Sequence, residues 1–236
     1  MIAFVTGTDT DIGKTFITAH LLSYMHKDFS LKTLGLKPII TGVDKRNSDF
    51  VHSDTMRLNT ASSIRLSVEE TSPIQLALPV SPHIAIAKSC YHFNEVDLSN
   101  ILPEKAIVSS DICLIEGAGG WRVPITPTLL YSEWVKKYQF SVILVVGMKL
   151  GCLNHAILTV DAMLMDKVKI VGWIANHVDP DMLCYKENIS TLRSLLPIPF
   201  LGEVPFMHQS TDKQFYFSKI IQCLLSEVEA LSSYIL

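Results

Sequence analysis

Short runs of apolar residues alternate with segments of helical periodicity along the whole chain of 236 residues. The runs are rich in Val and Ile and continuously apolar, which is typical of parallel strands covered on both faces. The segments between them carry apolar residues at steps of three and four, which indicates amphipathic helices. This alternation predicts a doubly wound α/β fold with a mostly parallel sheet flanked by helices. The predicted strands are residues 2–7, 33–39, 112–118, 141–148, 170–178 and 199–205.

The length of the chain suits one compact domain, and we predict a single domain over residues 1–236. Hydrophobic residues make up 48% and charged residues 18%, which argues against disorder. A net charge of −3 gives no general attraction to nucleic acid or acidic membranes, and no apolar run approaches the roughly 20 residues of a membrane span. The five cysteines are odd in number and widely spaced, which indicates a reducing, cytoplasmic compartment.

The stretch GTDTDIGKT, residues 7–15, lies between the first predicted strand and a helix expected from Lys14 to about Lys27. This is the context of a phosphate-binding loop, in which backbone N–H groups and the helix N-terminus face one anion. Gly13 would let the backbone approach the phosphates, and Lys14 would reach the β- and γ-phosphates. Thr15 would hold Mg²⁺ through its hydroxyl. The pattern therefore predicts a nucleotide site at the end of the first strand.

This loop departs from the common pattern in two places. Thr8 stands where the first glycine of Gly-x-x-x-x-Gly-Lys-Thr is expected, and Gly7 comes one position too early. A loop longer by one residue can still present its amides to an anion. Asp9 stands where ParA/MinD-like ATPases place a second lysine, five residues before the catalytic one. The sequence therefore fits that class poorly.

Further polar residues follow the other predicted strands, and we expect them to gather at the carboxyl edge of the sheet, where such folds bind ligands. Lys37 could offset the charge of a transferring phosphoryl group, although a solvated strand end explains it equally well. Glu116 ends an apolar strand and is followed by the glycines of residues 117–120. Thr15, Asp54 and Glu116 would give Mg²⁺ three oxygen ligands, although Asp54 alone fits an ordinary helix N-cap.

Two more segments carry chemistry that their local pattern leaves open. Residues 151–156, GCLNHA, are expected to open a helix with Asn154 as its N-cap, and the free N–H groups could hold a carboxylate. Asn176 ends a strand, where its amide suits a purine edge, although a turn residue fits the same place. Four histidines lack metal-ligand spacing and are interpreted as solvent or loop residues: His52, His155, His177 and His208.

Taken together, these stretches resemble the dethiobiotin synthetase family, the ATP-dependent ligases of biotin synthesis. That family's own phosphate loop carries the extra residue, so the resemblance implies an intact site. It also implies a P-loop NTPase-type α/β fold and activity as a homodimer. The motifs that carry it follow the family's order over about residues 2–206: GTDTDIGKT, LKPIITG, HSD, LPVSPH, EGAGGW, GCLNHA, IANHV and GEVPF.

The resemblance implies a reaction that joins CO₂ to 7,8-diaminopelargonate with ATP and Mg²⁺. A substrate amine takes up CO₂ as a carbamate, and ATP phosphorylates the carbamate to a mixed anhydride. The second amine then closes the cyclic urea and expels phosphate, leaving dethiobiotin and ADP. Such phosphoryl transfer depends on positioning and electrostatics.

The resemblance also implies roles for individual residues. Lys14 and Lys37 would stabilise charge on the phosphoryl group and the carbamate. Thr41 stands where the family commonly has serine, and it keeps the hydroxyl of a substrate contact. The segment 206–213 offers no residue that aligns with the family's base contacts, which leaves the nucleotide preference open. The implied ATP site comprises Asp11, Ile12, Gly13, Lys14, Thr15, Phe16, Asp54, Glu116, Gly117, Ala118, Gly119, Asn176, His177 and Pro205. The substrate carboxylate would lie across the dimer interface on Gly151, Cys152, Leu153 and Asn154.

Two other classes share part of this pattern. Amidoligases of the cobyrinic or cobyric acid type share the loop and the strand-end acid, but they carry a glutamine-hydrolysing domain for which we expect no room in 236 residues. Partner-binding switches related to partitioning ATPases share the loop but carry the lysine that Asp9 replaces. The sequence favours the ligase over both.

Overall fold

The computed structural model describes residues 1–43, 54–91, 97–206 and 212–233. A six-stranded sheet lies at its centre, and all the strand pairs in it are parallel. The prediction of a parallel α/β sheet is confirmed. The strands along the described chain are β1 (Ile2–Gly7), β2 (Thr33–Leu36), β3 (Ile39–Thr41), β4 (Ile74–Leu76), β5 (Ile112–Glu116), β6 (Ser141–Met148), β7 (Ile170–His177) and β8 (Phe200–Val204).

The order of strands in the main sheet is β2-β5-β1-β6-β7-β8. Helices connect these strands and cover both faces, as the continuous apolar runs predicted. Among the described helices, none has the length and apolar character needed to cross a membrane. The helices are α1 (Lys14–Phe29), α2 (Asp54–Ala61), α3 (Val68–Thr71), α4 (Pro82–Ala87), α5 (Asp97–Asn100), α6 (Glu104–Ser109), α7 (Tyr131–Lys137), α8 (Cys152–Met165), α9 (Tyr185–Leu195) and α10 (Lys213–Ser233).

Neighbouring residues of β1 belong to two different hydrophobic clusters. Phe4 packs with residues of α7 and α8, including Trp134 and Val160. Val5 packs with residues of α1 and α10, including Leu21 and Phe217. This alternation follows from the period of two along a strand and produces one core on each face of the sheet.

A small second sheet, in which β3 pairs with β4 in parallel, was not predicted from the sequence. The strand expected over residues 33–39 ends earlier, at Leu36, because Pro38 has no N–H group to continue the ladder. The backbone N–H of Lys37 instead donates to the carbonyl of Thr71 at 3.0 Å. Lys37 therefore lies in the connection between β2 and β3, where its backbone is held by the hydrogen bond to Thr71.

Because the main sheet is parallel, the carboxyl ends of its strands meet at one edge. Val5 lies beside Glu116, Gly7 beside Val145, and Gly147 beside Asn176 in the strand registers. The first turn of α1 starts at this edge. The topology alone thus brings together the residues singled out at the ends of β1, β5 and β7.

Candidate active site

The chain between β1 and α1 forms a compact loop, which we call the phosphate loop, residues 7–15. Gly13 adopts a left-handed conformation with φ 82° and caps α1, as glycine tolerates at no steric cost. A Cβ atom at Gly7 would lie 2.5 Å from Cδ1 of Ile12, which is fully buried. A side chain at position 7 would therefore displace Ile12, and the early glycine leaves room for it.

Lys14 lies within this loop and is almost fully buried. Its Nζ donates to the backbone carbonyl of Asp9 at 2.7 Å. Burial lowers the pKa of Lys14 to about 8, an effect that the Glu116 carboxylate opposes and the Lys37 ammonium reinforces. Asp9 stands at the loop position where ParA/MinD-like ATPases carry a lysine. Its carboxylate pairs with Lys149 at 2.8 Å, so a lysine from another part of the chain lies against this position.

Four residues from four parts of the chain form one hydrogen-bonded network. Glu116 is 0% exposed, and its Oε1 accepts from Thr15 Oγ1 at 2.7 Å and from Lys37 Nζ at 2.7 Å. Lys37 also donates to Oδ2 of Asp54. Burial alone would lower the pKa of Lys37, but the carboxylates of Glu116 and Asp54 outweigh it and raise that pKa. Lys37 is therefore held as a cation between two carboxylates.

The same network fits a magnesium ion. Oε2 of Glu116 is buried and has no hydrogen-bond donor among the described residues. The hydroxyl of Thr15 points its hydrogen at Glu116, which leaves its lone pairs for a cation, and the side chain of Asp54 is 38% exposed. In the described part of the chain no three His, Cys, Asp or Glu side chains form a closed metal site. Such an open oxygen set suits Mg²⁺, which commonly keeps places for phosphate and water.

A cavity of about 740 Å³ joins the phosphate loop to this network. Its walls include Thr41 from the small sheet and the glycine-containing turn after β5. A larger groove, of about 1070 Å³, runs along α1 and α2 and shares Thr15 and Arg57, but neither Asp54 nor Glu116 lines it. The smaller cavity is therefore the candidate active site, because both lysines and both carboxylates line it.

The end of β7 contacts the phosphate loop through Asn176. Asn176 is buried, and its Nδ2 donates to the backbone carbonyl of Ile12 at 2.7 Å. The ring of His177 stacks on Tyr185 with centroids 4.0 Å apart, and Phe206 meets it edge-on. The amide nitrogen of Asn176 is thus occupied by the loop, and a contact to adenine stays a prediction. Pro205 directly follows β8, and the tail residues 207–211 lie outside the described residues.

The helix α8 begins earlier than expected. Gly151, with φ 92°, is its N-cap, so the expectation that Asn154 caps this helix is wrong. Glycine takes this left-handed position without strain, and Asn154 falls in the first turn on the surface. Cys152 is buried, and burial raises the pKa of its thiol, which makes it an inert side chain. Its backbone N–H donates to the carbonyl of Lys149 at 3.0 Å. This helix start does not line the 740 Å³ cavity.

Several wall residues were missed because their local patterns carry no chemical signal. Arg57 lies one turn into α2. Burial would raise the pKa of Asp54, but Lys37 outweighs it and lowers that pKa, and the charge of Arg57 adds a smaller effect in the same direction. Ser81 and Pro82 line the cavity from the start of α4. The motif LPVSPH was the available signal for these two. His52 and Ser53 of the HSD motif, like His208, lie outside the described residues.

Comparisons with known proteins agree with this geometry. A family model described as an AAA domain matches residues 3–214. The chain is 41% identical over 213 residues to the ATP-dependent dethiobiotin synthetase BioD of Alteromonas mediterranea, covering 86% of this chain and 91% of the relative. It is 41% identical over 219 residues to the protein of the same name from Vibrio cholerae, covering 93% of each.

Solved structures with the same fold are much more distant in sequence. The MinC:MinD cell division protein complex of Aquifex aeolicus matches with a TM-score of 0.57 at 14% identity, covering 97% of this chain and 95% of that one. A ParA family ATPase from Chlorobium tepidum matches with a TM-score of 0.55 at 13% identity, covering 95% and 97%. Likeness at this level concerns the fold alone and gives no support to a partner-binding switch.

Proposed function

This chain belongs to the ATP-dependent dethiobiotin synthetase family, and we propose that it is the ligase that closes the cyclic urea of dethiobiotin from 7,8-diaminopelargonate, CO₂ and ATP. The products are dethiobiotin, ADP and phosphate, as a step of biotin biosynthesis. All five cysteines are free thiols, which supports a reducing, cytoplasmic compartment for this enzyme.

One observation carries this proposal: two buried lysines and two carboxylates converge on one cavity at the end of β1. Lys14 and Lys37 are both almost fully buried, and Glu116 and Asp54 face the same space. A nucleotide-binding module needs only the phosphate loop. A second buried cation beside the metal ligands is what transfer of a phosphoryl group to an anionic carbamate requires, because the charge that develops must be offset.

The residues of the cavity divide the reaction among them. The amides of the phosphate loop and Lys14 bind the β- and γ-phosphates, and Lys37 orients the carbamate for attack on the γ-phosphorus. Thr15, Asp54 and Glu116 would hold Mg²⁺, which neutralises charge on the phosphate oxygens when bound. Thr41 lines the cavity, and we propose that its hydroxyl contacts the diamine. The backbone amides of Gly117, Ala118 and Gly119, which line the same cavity, also bind the nucleotide.

The carboxylate of the substrate requires a separate site, for which we propose the N-terminus of α8 from a partner subunit. The segment Gly151 to Asn154 begins this helix, and a helix N-terminus favours an anion. The N–H of Cys152 donates to the carbonyl of Lys149 at 3.0 Å, so the carboxylate would lie on the neighbouring amides. Leu150, directly before this segment, is 94% exposed, and Leu158 and Met165 of α8 are also exposed. Several exposed apolar residues along one helix support a homodimer contact. A second subunit would bring this helix to the open side of the cavity.

The reaction is tested by measuring ADP release with Mg²⁺ and bicarbonate, in the presence and absence of 7,8-diaminopelargonate. We expect turnover to depend on the diamine, with dethiobiotin detected by mass spectrometry in equal amount to ADP. Substituting a monoamine of the same length is the control, because it forms a carbamate but cannot close the ring. Diamine-independent ADP release without a ureido product would reject the proposed reaction.

A further inference from the structure

A nearly buried carboxylate outside the cavity binds the segment that follows Glu116, which we call the glycine loop, residues 117–122. Asp166 is the C-cap of α8, and its side chain is 7% exposed. Its Oδ2 accepts from Trp121 Nε1 at 2.8 Å and pairs with Arg122 Nη1 at 2.7 Å. Lys136 of α7 contacts Oδ1 at 3.2 Å. Two of these three donors belong to the glycine loop.

The guanidinium of Arg122 is itself fixed from several directions. Besides Asp166, its Nη1 donates to Ser132 Oγ at 3.1 Å, and its Nη2 donates to the carbonyl of Ala162 at 3.4 Å. A planar group with several donors loses little freedom for each bond it makes. Arg122 thus joins the glycine loop to both α7 and the last turn of α8.

Before Trp121 the glycine loop lies directly against β1 and the phosphate loop. A Cβ atom at Gly117 would lie 2.5 Å from the ring of Phe4, and one at Gly120 would lie 3.3 Å from the carbonyl oxygen of Gly7. The backbone of this loop therefore packs on β1 and the phosphate loop without spare room. Gly117 and Gly119 line the 740 Å³ cavity. A shift at Trp121 or Arg122 would move that wall.

We propose that Asp166 is a positioning residue of the nucleotide site: by holding Trp121 and Arg122, it sets where Gly117–Gly119 lie relative to the phosphate loop. The inference rests on the proposed function, because it requires the nucleotide to lie against this wall. Groups that bind a reacting phosphate must be held to a fraction of an ångström, and residues outside the contact layer commonly supply that constraint. Asp166 is ionised for this task, because Trp121 and the two cations outweigh burial and lower its pKa.

Asp166→Asn keeps the shape of the side chain and removes its charge. We expect the KM for Mg·ATP to rise about tenfold and kcat to fall less, since the wall binds the nucleotide and does not contact the diamine. Arg122→Met and Trp121→Phe, which each remove one contact of the glycine loop, should shift KM in the same direction. Lys136→Met is the matched control: it removes a cation from the same carboxylate but from outside the loop, and KM should stay unchanged.

Nucleotide binding and ligation are measured separately in these variants. Calorimetric titration with Mg·ADP should show an affinity loss in Asp166→Asn whether or not product forms. A wild-type protein that binds Mg·ADP but has no ligase activity would therefore reject only the proposed reaction. A lower melting temperature with unchanged KM and unchanged Mg·ADP affinity would overturn the positioning role, as would an equal KM shift in Lys136→Met. If Asp166→Asn does not fold, Trp121→Phe, which keeps an aromatic ring in the core, decides between these results.

Discussion

Lys37→Met is expected to lower kcat by about a thousandfold, because the variant loses the cation that offsets charge on the carbamate and the transferring phosphoryl group. The substitution should also cost about 3 kcal/mol of folding free energy. It leaves the fully buried Glu116 with Thr15 as a hydrogen-bond partner but without the ammonium of Lys37. Mg·ADP should restore part of the lost stability, since a divalent cation takes over the neutralisation of both carboxylates. Steady-state kinetics and thermal melts with and without Mg·ADP measure these effects.

Lys14→Met is the matched control for the stability effect. It removes a lysine from the same cavity, but the Nζ of Lys14 bonds to a backbone carbonyl, that of Asp9. Its loss should abolish nucleotide binding, because Lys14 is proposed to bind the β- and γ-phosphates. It should destabilise the free protein much less than Lys37→Met, because no carboxylate loses a hydrogen bond. Equal stabilities of the two variants would contradict the role of Lys37 as the counter-ion of Glu116, and full activity of Lys37→Met would remove it from the mechanism.

Gly13→Ala is expected to reduce Mg·ADP affinity by more than about a hundredfold and to cost at least about 2 kcal/mol of stability. The new Cβ atom would lie 2.3 Å from Nδ2 of Asn176, which is buried and bonded to Ile12, in a backbone with φ 82°. Either the phosphate loop or the side chain of Asn176 must move, and both changes disturb the amides that face the phosphates. Calorimetric titration and denaturant unfolding measure the two losses.

Gly151→Ala separates backbone strain from this clash. Gly151 has φ 92°, but a Cβ atom there meets nothing within 4 Å. We expect it to cost about 1 kcal/mol, as alanine does in a left-handed conformation, and to leave Mg·ADP affinity unchanged. A comparable affinity loss in both variants would show that the contact between Gly13 and Asn176 does not matter for the nucleotide site.

The long apolar runs predicted the main sheet well. A strand buried on both faces is continuously apolar and rich in Val and Ile, and a short stretch of sequence is enough to recognise this composition. The predicted strands 2–7 and 141–148 have the observed bounds. The three-residue strands β3 and β4 could not be predicted, since such short strands carry no periodicity of their own. The error at Asn154 has a related cause: an asparagine and a glycine both suit a helix start, and only the backbone shows which one caps it.

The sequence also predicted which residues converge on the site, because parallel strands bring their carboxyl ends to one edge. It did not predict their partners. The hydrogen bond from the amide nitrogen of Asn176 to the carbonyl of Ile12, 164 positions away, depends on tertiary contact. The same holds for Asp166, which meets Trp121 across 45 positions and belongs to no recognisable motif. Contacts of this kind depend on the packing of helices on the sheet, which local patterns do not encode.

The most direct test of the mechanism is the fate of the oxygen atoms of bicarbonate. If carbamate oxygen attacks the γ-phosphorus in the cavity around Lys37 and Glu116, ring closure leaves that oxygen on phosphate. Freshly dissolved ¹⁸O-bicarbonate in a short reaction should then give phosphate carrying a single ¹⁸O atom for each dethiobiotin formed, read by mass spectrometry or ³¹P NMR. Unlabelled phosphate, released alongside product or ADP, would contradict phosphorylation of a carbamate at this site.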